Sequence, residues 1–498
     1  MCRAFRDADS EIEQRVTLIE SSVFRTNEQL RLIKQMDQEL EEEFKIMQTR
    51  LVNIFTVKLK DVIKRLERIV DIGKDADDRP QYTIKKAKYI FVKQHLDTAI
   101  LDLERWQTRF DPTWKLIMLR STGPSVDQLI EQYRPAPSGS LSTTSTLRGL
   151  GTLRHMVRDE VSSGVSVYLP EAPLEGMKKQ SIPYCTAMVY HQANPERYYI
   201  VDTVGVISGQ LTKNRERILA KNVRALAERL HLIDTAESLR MGMLQCRGFV
   251  KRNEGGFRFV FRQPVDADVS RPATSLRAML IAATAHSLTE RISLAKQLAR
   301  SVSYMHSLGF VHKNIRPETI VGFWVQGRSV ALESVFLTGF GQFRAEDGAT
   351  SLLGDDAWEK NLYRHSDRQG LHPEEEYVME HDIYTLGVCL LELGLWLSFV
   401  AYDKENKAIR NETLTASLAV TELKSALVLL AKDRLPQIMG DKYCDIVVNC
   451  LTCLDEDNVD FADKSQFQDE SGIQIGVRYI EKVSSLICFL GFSTEATL

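Results

Sequence analysis

The stretch "VHKNIRPETIVGF", Val311 to Phe323, gathers side chains suited to holding charge and moving protons: His312, Lys313, Asn314, Arg316 and Thr319. Lys313 offers a compact point charge, which grips a phosphate less rigidly than a guanidinium fork. Asn314 is an amide with no basic lone pair at neutral pH, so it cannot take a proton from a hydroxyl. Further on, "VFLTGFGQFR" sets Gly339 beside Phe340. A glycine has no side chain with which to ligate a hard cation that wants carboxylate oxygen. A second chemical candidate is Cys450-x-x-Cys453 in "NCLTCLD". Its spacing suits zinc, but no second pair follows at ligand spacing, so buried thiols on a helix are the favoured reading and no metal is assigned.

The elements that must position these residues fall into three regions. The chain has 498 residues, 44% hydrophobic and 26% charged, which predicts a soluble globular protein of two to four domains. A net charge of −3 gives no whole-chain reason to expect nucleic acid. Eight scattered cysteines are too sparse for a disulfide scaffold. "MCRAFRDADSEIEQ" is charged and lacks an apolar core, which predicts no secretory leader and a cytoplasmic location. The strongest apolar run, Leu386 to Val400, is short for a bilayer span and carries Glu392; a buried core helix is expected.

Residues 1–125 hold no glycine before Gly73 and no proline before Pro80. Apolar residues recur there at steps of three and four, through Leu59, Val62, Leu66 and Ile69, and a further helix fits "AKYIFVKQHLDTAILDLERWQTRF". Antiparallel packing of such helices predicts an all-α helical bundle, with a dimerising coiled coil as the alternative. Residues 126–165, with "RPAPSGSLSTTSTLRGLG" at their centre, have linker composition. From 166 to 498, strand-like runs give way to helices. "MLQCRGFVK" and "GFRFVFRQP" read as a hairpin turning at Arg252-Asn253-Glu254-Gly255, and "SLRAMLIAA" and "SLTERISLAKQLARSVSYMHSLGF" as helices.

Three motifs in order, "YMHSLGFVHKNIRPETIV", "VFLTGFGQFR" and "HDIYTLGVCLLELGLW", resemble those of protein kinases. The resemblance implies a two-lobed α+β protein-kinase-like fold, with a smaller lobe at about 166–263 and a larger one at about 264–498. It equates Asn314 with the catalytic base aspartate, Arg316 with the loop lysine, Thr319 with the second magnesium ligand and Gly339 with the D-F-G aspartate. His312, Phe340 and Asp382 keep the residue types that build the frame of such a domain. No G-x-G-x-x-G precedes the hairpin; Gly149 and Gly151 lie too early. No V-A-I-K lysine is visible either; the candidate strand "RYYIVDTVGV" offers Asp202 and Val204. Glu228, on a helix that could be its partner, reads as a solvated residue.

With base and both metal ligands replaced, the resemblance is to a pseudokinase. The layout is similar to fungal proteins that join a HeLo-type helical domain to a kinase-like domain, and to the mixed-lineage kinase domain-like arrangement. Against those families this bundle starts late, which implies missing N-terminal helices. The implied function is signalling or regulation, the kinase-like domain controlling the helical one. The alternatives are an active atypical ATP-dependent kinase and a non-catalytic scaffold. ATP without magnesium is the one cofactor left open. The implied partners are proteins, including self-association through the bundle, and a membrane on activation; nucleic acid is not among them.

Overall fold

A computed structural model describes most of residues 166–461 and, before them, 42–66, 70–74, 80–84 and 95–100, with a few single positions. The linker region, with Gly149 and Gly151, lies outside the described residues. The chain divides into two compact units, Met1–Arg154 and His155–Leu498.

In the first unit, α1 (Glu42–Leu66) is an uninterrupted helix. Val62 is buried while Asp61, Ile63 and Lys64 are exposed, and Arg65 pairs with Asp61 one turn back at 2.9 Å. Arg15 pairs with Asp97 at 2.6 Å, close to the buried Ile19, Leu96 and Ile100. The expected all-α character does not hold throughout. The apolar stripe leaves the helix after Leu66, and β1 (Val70–Lys74) pairs antiparallel with β2 (Pro80–Ile84). Helical spacing continues through Ile69 in the sequence, but the glycine at 73 and proline at 80 disfavour a helix there, and Val70, Ile72, Thr83 and Ile84 suit a strand.

The second unit is mixed α+β: a five-stranded antiparallel sheet followed by a mainly helical region. The sheet holds β3 (Lys178–Ser181), β4 (Met188–His191), β5 (Tyr198–Val204), β6 (Cys246–Lys251) and β7 (Phe257–Arg262), in the order β3-β4-β5-β7-β6. α2 (Lys213–His231) connects β5 to β6 and packs on the latter. β5, central in the sheet, is buried at nearly every residue, so it reads as an apolar run rather than an alternation.

After β7 the chain passes through Gln263-Pro264-Val265 to β8 (Thr274–Ser275) and α3 (Leu276–Ala282), whose N-cap Ser275 accepts from Ala278 N. α4 (Leu288–Ser307) opens on a capping box of Ser287 and Glu290. β9 (Phe310–Val311) leads into the candidate loop. β10 (Ile320–Trp324) and β11 (Leu332–Leu337) leave it as a hairpin, and β12 (Arg344–Ala345) returns to β9. α5 (Met379–Leu395) is almost wholly buried, with α4 and the later α6 (Leu423–Met439) and α7 (Asp441–Leu451) packed against it. The apolar run at Leu386 to Val400 is therefore a core helix and its continuation. Among the described residues, no single helix is long and apolar enough to cross a membrane. Cys450 is buried on α7 and Cys453 just beyond it, and no metal-sized group of three or more acidic, His or Cys side chains occurs among the described residues.

Candidate functional site

The loop 311–319 is held from below by one carboxylate. Asp382, in the first turn of α5, has no exposed surface. Its Oδ2 accepts from the backbone N–H of His312 at 2.7 Å and meets His306 Nε2 at 3.0 Å. Its Oδ1 accepts from Lys313 N at 2.9 Å and from the Tyr377 hydroxyl at 2.6 Å. Burial alone would raise its pKa, but the hydrogen bond and charge of His306, helped by Tyr377, outweigh it and hold the group at about 2. A buried carboxylate with four donors fixes the path of the loop backbone.

His312 is fully buried. Its Nε2–H donates to Thr338 O at 3.0 Å, and its Nδ1 accepts from Asn314 N at 3.3 Å, a pattern that defines the neutral tautomer. Burial, against the charge of Asp382, pushes its pKa down to about 4. Its ring lies 5.1 Å from that of Phe340, which in turn meets Phe259 and Phe261 of the sheet at 5.6 and 5.8 Å. An aromatic column thus joins the sheet to the loop and, through Asp382, to α5.

The polar side chains of the loop are turned onto the loop itself. Asn314 donates from Nδ2 to Gly339 O at 3.0 Å and accepts at Oδ1 from Arg316 Nε at 3.0 Å. Thr319, also fully buried, has its hydroxyl within 2.9 Å of the carbonyls of Asn314 and Arg316 and accepts from Arg316 N at 3.1 Å. Both side chains are thus engaged in fixing the loop and the turn at Gly339. Gly339 sits at φ +80°, in the left-handed region. A Cβ there would lie 2.2 Å from Thr319 Cγ2 and 3.2 Å from Thr186 Oγ1. The threonine methyl and the missing side chain at 339 are therefore one packing arrangement.

Two segments close over the loop. Asp202, 1% exposed on β5, accepts from the backbone N–H of Phe340 at 2.6 Å. Burial raises its pKa to about 6, opposed by that bond and by further ones from Gly339 and Thr203. A carboxyl group, not a cation, thus meets the turn at 339–340. The connection between β3 and β4 comes down from the other side, with Thr186 N donating to Glu318 O at 3.1 Å. Ser275 Oγ holds Pro183 O at 2.6 Å, and Tyr184 stacks on Tyr402 at 4.6 Å. Burial pushes the Cys185 thiol of this connection up to about 12, so it is held as the neutral thiol.

Glu318 also enters a buried ionic group. Arg277 of α3 has no exposed surface; it donates to Glu318 Oε1 at 3.0 Å, Glu392 Oε1 at 2.8 Å, Ser398 Oγ at 2.6 Å and the Tyr363 hydroxyl. Burial disfavours its charge, yet Glu392, Tyr363 and Glu318 keep it protonated well beyond its usual range. On the far side of the loop, Lys313 (φ +66°) lies over the Tyr377 ring at 5.2 Å. Burial, with the nearby charges of Arg344 and Arg368, pulls its pKa down to about 8.

The structure thus brings His312, Asn314, Arg316, Thr319, Gly339, Phe340 and Asp382 into one assembly. Glu228 stands apart on α2, paired with Arg224 at 3.3 Å. Sequence reasoning did not find Thr186, Glu318 or Arg277 as partners. The one signal was Glu392, a carboxylate inside an apolar run, which demands a buried counter-charge. The sequence matches no protein-family model and no curated protein.

Proposed function

We propose that residues 166–498 are a two-lobed protein-kinase-like domain without phosphoryl-transfer chemistry, and that the protein is a signalling or regulatory pseudokinase. In this reading the domain controls the N-terminal helical segment and works through protein partners. Support for the fold comes from the sheet order β3-β4-β5-β7-β6, with a helix between β5 and β6, and from Asp382 holding the backbone of the loop.

The observation that carries the functional reading is the closed junction above the loop. Phosphoryl transfer works by positioning phosphates and neutralising their charge with cations and magnesium. Here Thr186 N is bonded to Glu318 O, a carboxyl group occupies the place facing Phe340 N, and the hydroxyl of Thr319 is spent on its own loop. A triphosphate would have to break these contacts and then face Asp202. The domain therefore acts as a shape, with its loop kept as architecture.

The test uses the full chain. ATP, with and without magnesium, is expected to leave the melting temperature unchanged, and labelled ATP to yield no phosphoprotein above a heat-killed control. Magnesium-dependent transfer lost on substituting Asn314 or Asp202 would overturn the reading in favour of an atypical kinase. Control of the helical segment predicts that residues 1–125 bind partners or anionic vesicles that the full chain does not.

A further inference from the structure

The sheet carries a cavity of about 280 Å³ that the closed junction does not involve. It lies where β5, β6 and β7 meet the Gln263-Pro264-Val265 connection, and its wall includes Arg197, Arg247, Arg262, Tyr198 and Tyr199. The sheet register explains why cations converge there. Tyr199 of β5 pairs with Arg262 of β7, and Arg262 N donates to Gln245 O at 2.9 Å. The ladder between β6 and β7 slips between Cys246 and Gly248, leaving Arg247 at the irregularity without a cross-strand partner. Its guanidinium lies 5.2 Å from the Tyr199 ring centre and donates to the Tyr199 hydroxyl. Arg197 enters from the residue just before β5.

These guanidinium groups share one concavity, and among the described residues no carboxylate forms an ion pair with any of them. Elsewhere in the same sheet, Arg258 is paired with Glu171 and Glu175, and Lys251 with Glu216. The three arginines are exposed, so water carries their charge and they remain available to an anion entering the cavity. Among the described residues the cavity wall offers guanidinium forks, glutamine amides and tyrosine rings, and no acidic side chain. Guanidinium forks match the geometry of a phosphate's oxygens, and the Tyr199 side suits a small apolar group. The volume falls just below the usual range of small-molecule sites, roughly 300–1,000 Å³, so only a compact ligand fits.

We propose that this cavity binds a small organic phosphate monoester, its dianion held by Arg197, Arg247 and Arg262 and its organic part set beside Tyr199, which shares a sheet face with Arg262. The site does not depend on the pseudokinase reading, since it involves neither the loop 311–319 nor Asp202.

Calorimetric titration of the full chain with phenyl phosphate tests it, with inorganic phosphate and a phosphoserine peptide as separate arms. Saturable binding of phenyl phosphate is expected, tighter than inorganic phosphate and weakening as salt is raised. Arg247→Gln and Arg262→Gln should each weaken it about tenfold, the loss of one charged hydrogen-bonding partner. Circular dichroism must show both variants folded, as substitution of exposed arginines allows; Lys313→Gln, in the other cationic cluster, should bind as the parent does. No saturable binding at millimolar phenyl phosphate would overturn the proposal, as would binding that both arginine variants retain. Equal affinity for inorganic phosphate would remove the organic part of the assignment. Binding of the phosphoserine peptide alone would replace the small molecule with a modified protein.

Discussion

At the residue scale, the loop 311–319 shows how substitutions lock together. Gly339 and Thr319 fill a single space, so Gly339→Asp cannot by itself restore a metal ligand. It adds left-handed strain and a Cβ 2.2 Å from a methyl, and should destabilise the fold by roughly 2–4 kcal/mol. Chemical denaturation reads this directly, and an unchanged midpoint would refute the packing argument. Asp382→Ala strands His306 and two backbone donors in a dry interior, a loss of roughly 3–5 kcal/mol by the same measurement. His312 carries a pH dependence. Its pKa is lowered to about 4 in the fold, from an ordinary value near 6.5, so the unfolded chain takes up a proton first as pH falls between these values. Stability should be fully present above pH 6.5 and decline towards pH 4, by about 3 kcal/mol from this group. His381, also held near 4, adds to the trend, while Asp202, raised to about 6, opposes it because its protonated form favours the fold. His312→Phe should flatten the curve of melting temperature against pH; an identical slope would remove His312 from the account.

At the scale of elements, Arg277 ties α3, the loop and α5 together through Glu318 and Glu392. Arg277→Leu leaves Glu392 buried without a cation, while Glu318 keeps Arg316 at 4.0 Å, and should cost roughly 3–5 kcal/mol. Arg277→Leu combined with Glu392→Leu should recover part of that loss, because an apolar pair needs no counter-charge. If the double variant is as unstable as the sum of the single ones, the interaction is not the one drawn here. The strands and helices at 246–262, 276–282, 288–307 and 379–395 were legible from period and turn chemistry, since each buries one face or all of it. The hairpin at 70–84 was not, because apolar spacing of three and four residues continues across Leu66 and Ile69 and masks the change of period.

At the scale of the whole molecule, composition between Arg134 and Gly151 predicts the preferred site of limited proteolysis, separating an N-terminal fragment from one beginning before β3. Mass spectrometry of a brief trypsin digest checks this: cleavage at Arg148 or Arg154 is expected first, since the Arg134–Pro135 bond resists trypsin. Early cutting at Lys179 or Arg258 instead would mean that the sheet opens before the linker does. The exposed Lys60 and Lys64 of α1 are available to an anionic surface, whereas Val62 is committed to the interior of its own unit. Membrane binding by the N-terminal segment would therefore need that packing to be undone.

What the sequence determined by itself is much of the local order from Cys246 onward, that Asn314 cannot serve as a base, and that Gly339 cannot hold a cation. Those are properties of side-chain chemistry and of periodicity within a few residues. What only the tertiary structure decided is which distant groups meet. Asp202 reaches Phe340 across 138 positions, and Thr186 lies against Glu318. Arg277 finds Glu392 across 115 positions, and a slip in the ladder aims Arg247 at the cavity wall beside Tyr199. A buried charge must have a partner, and the sequence announces that need at Glu392. Which residue answers it depends on how sheet and helices pack, and no local pattern encodes that choice.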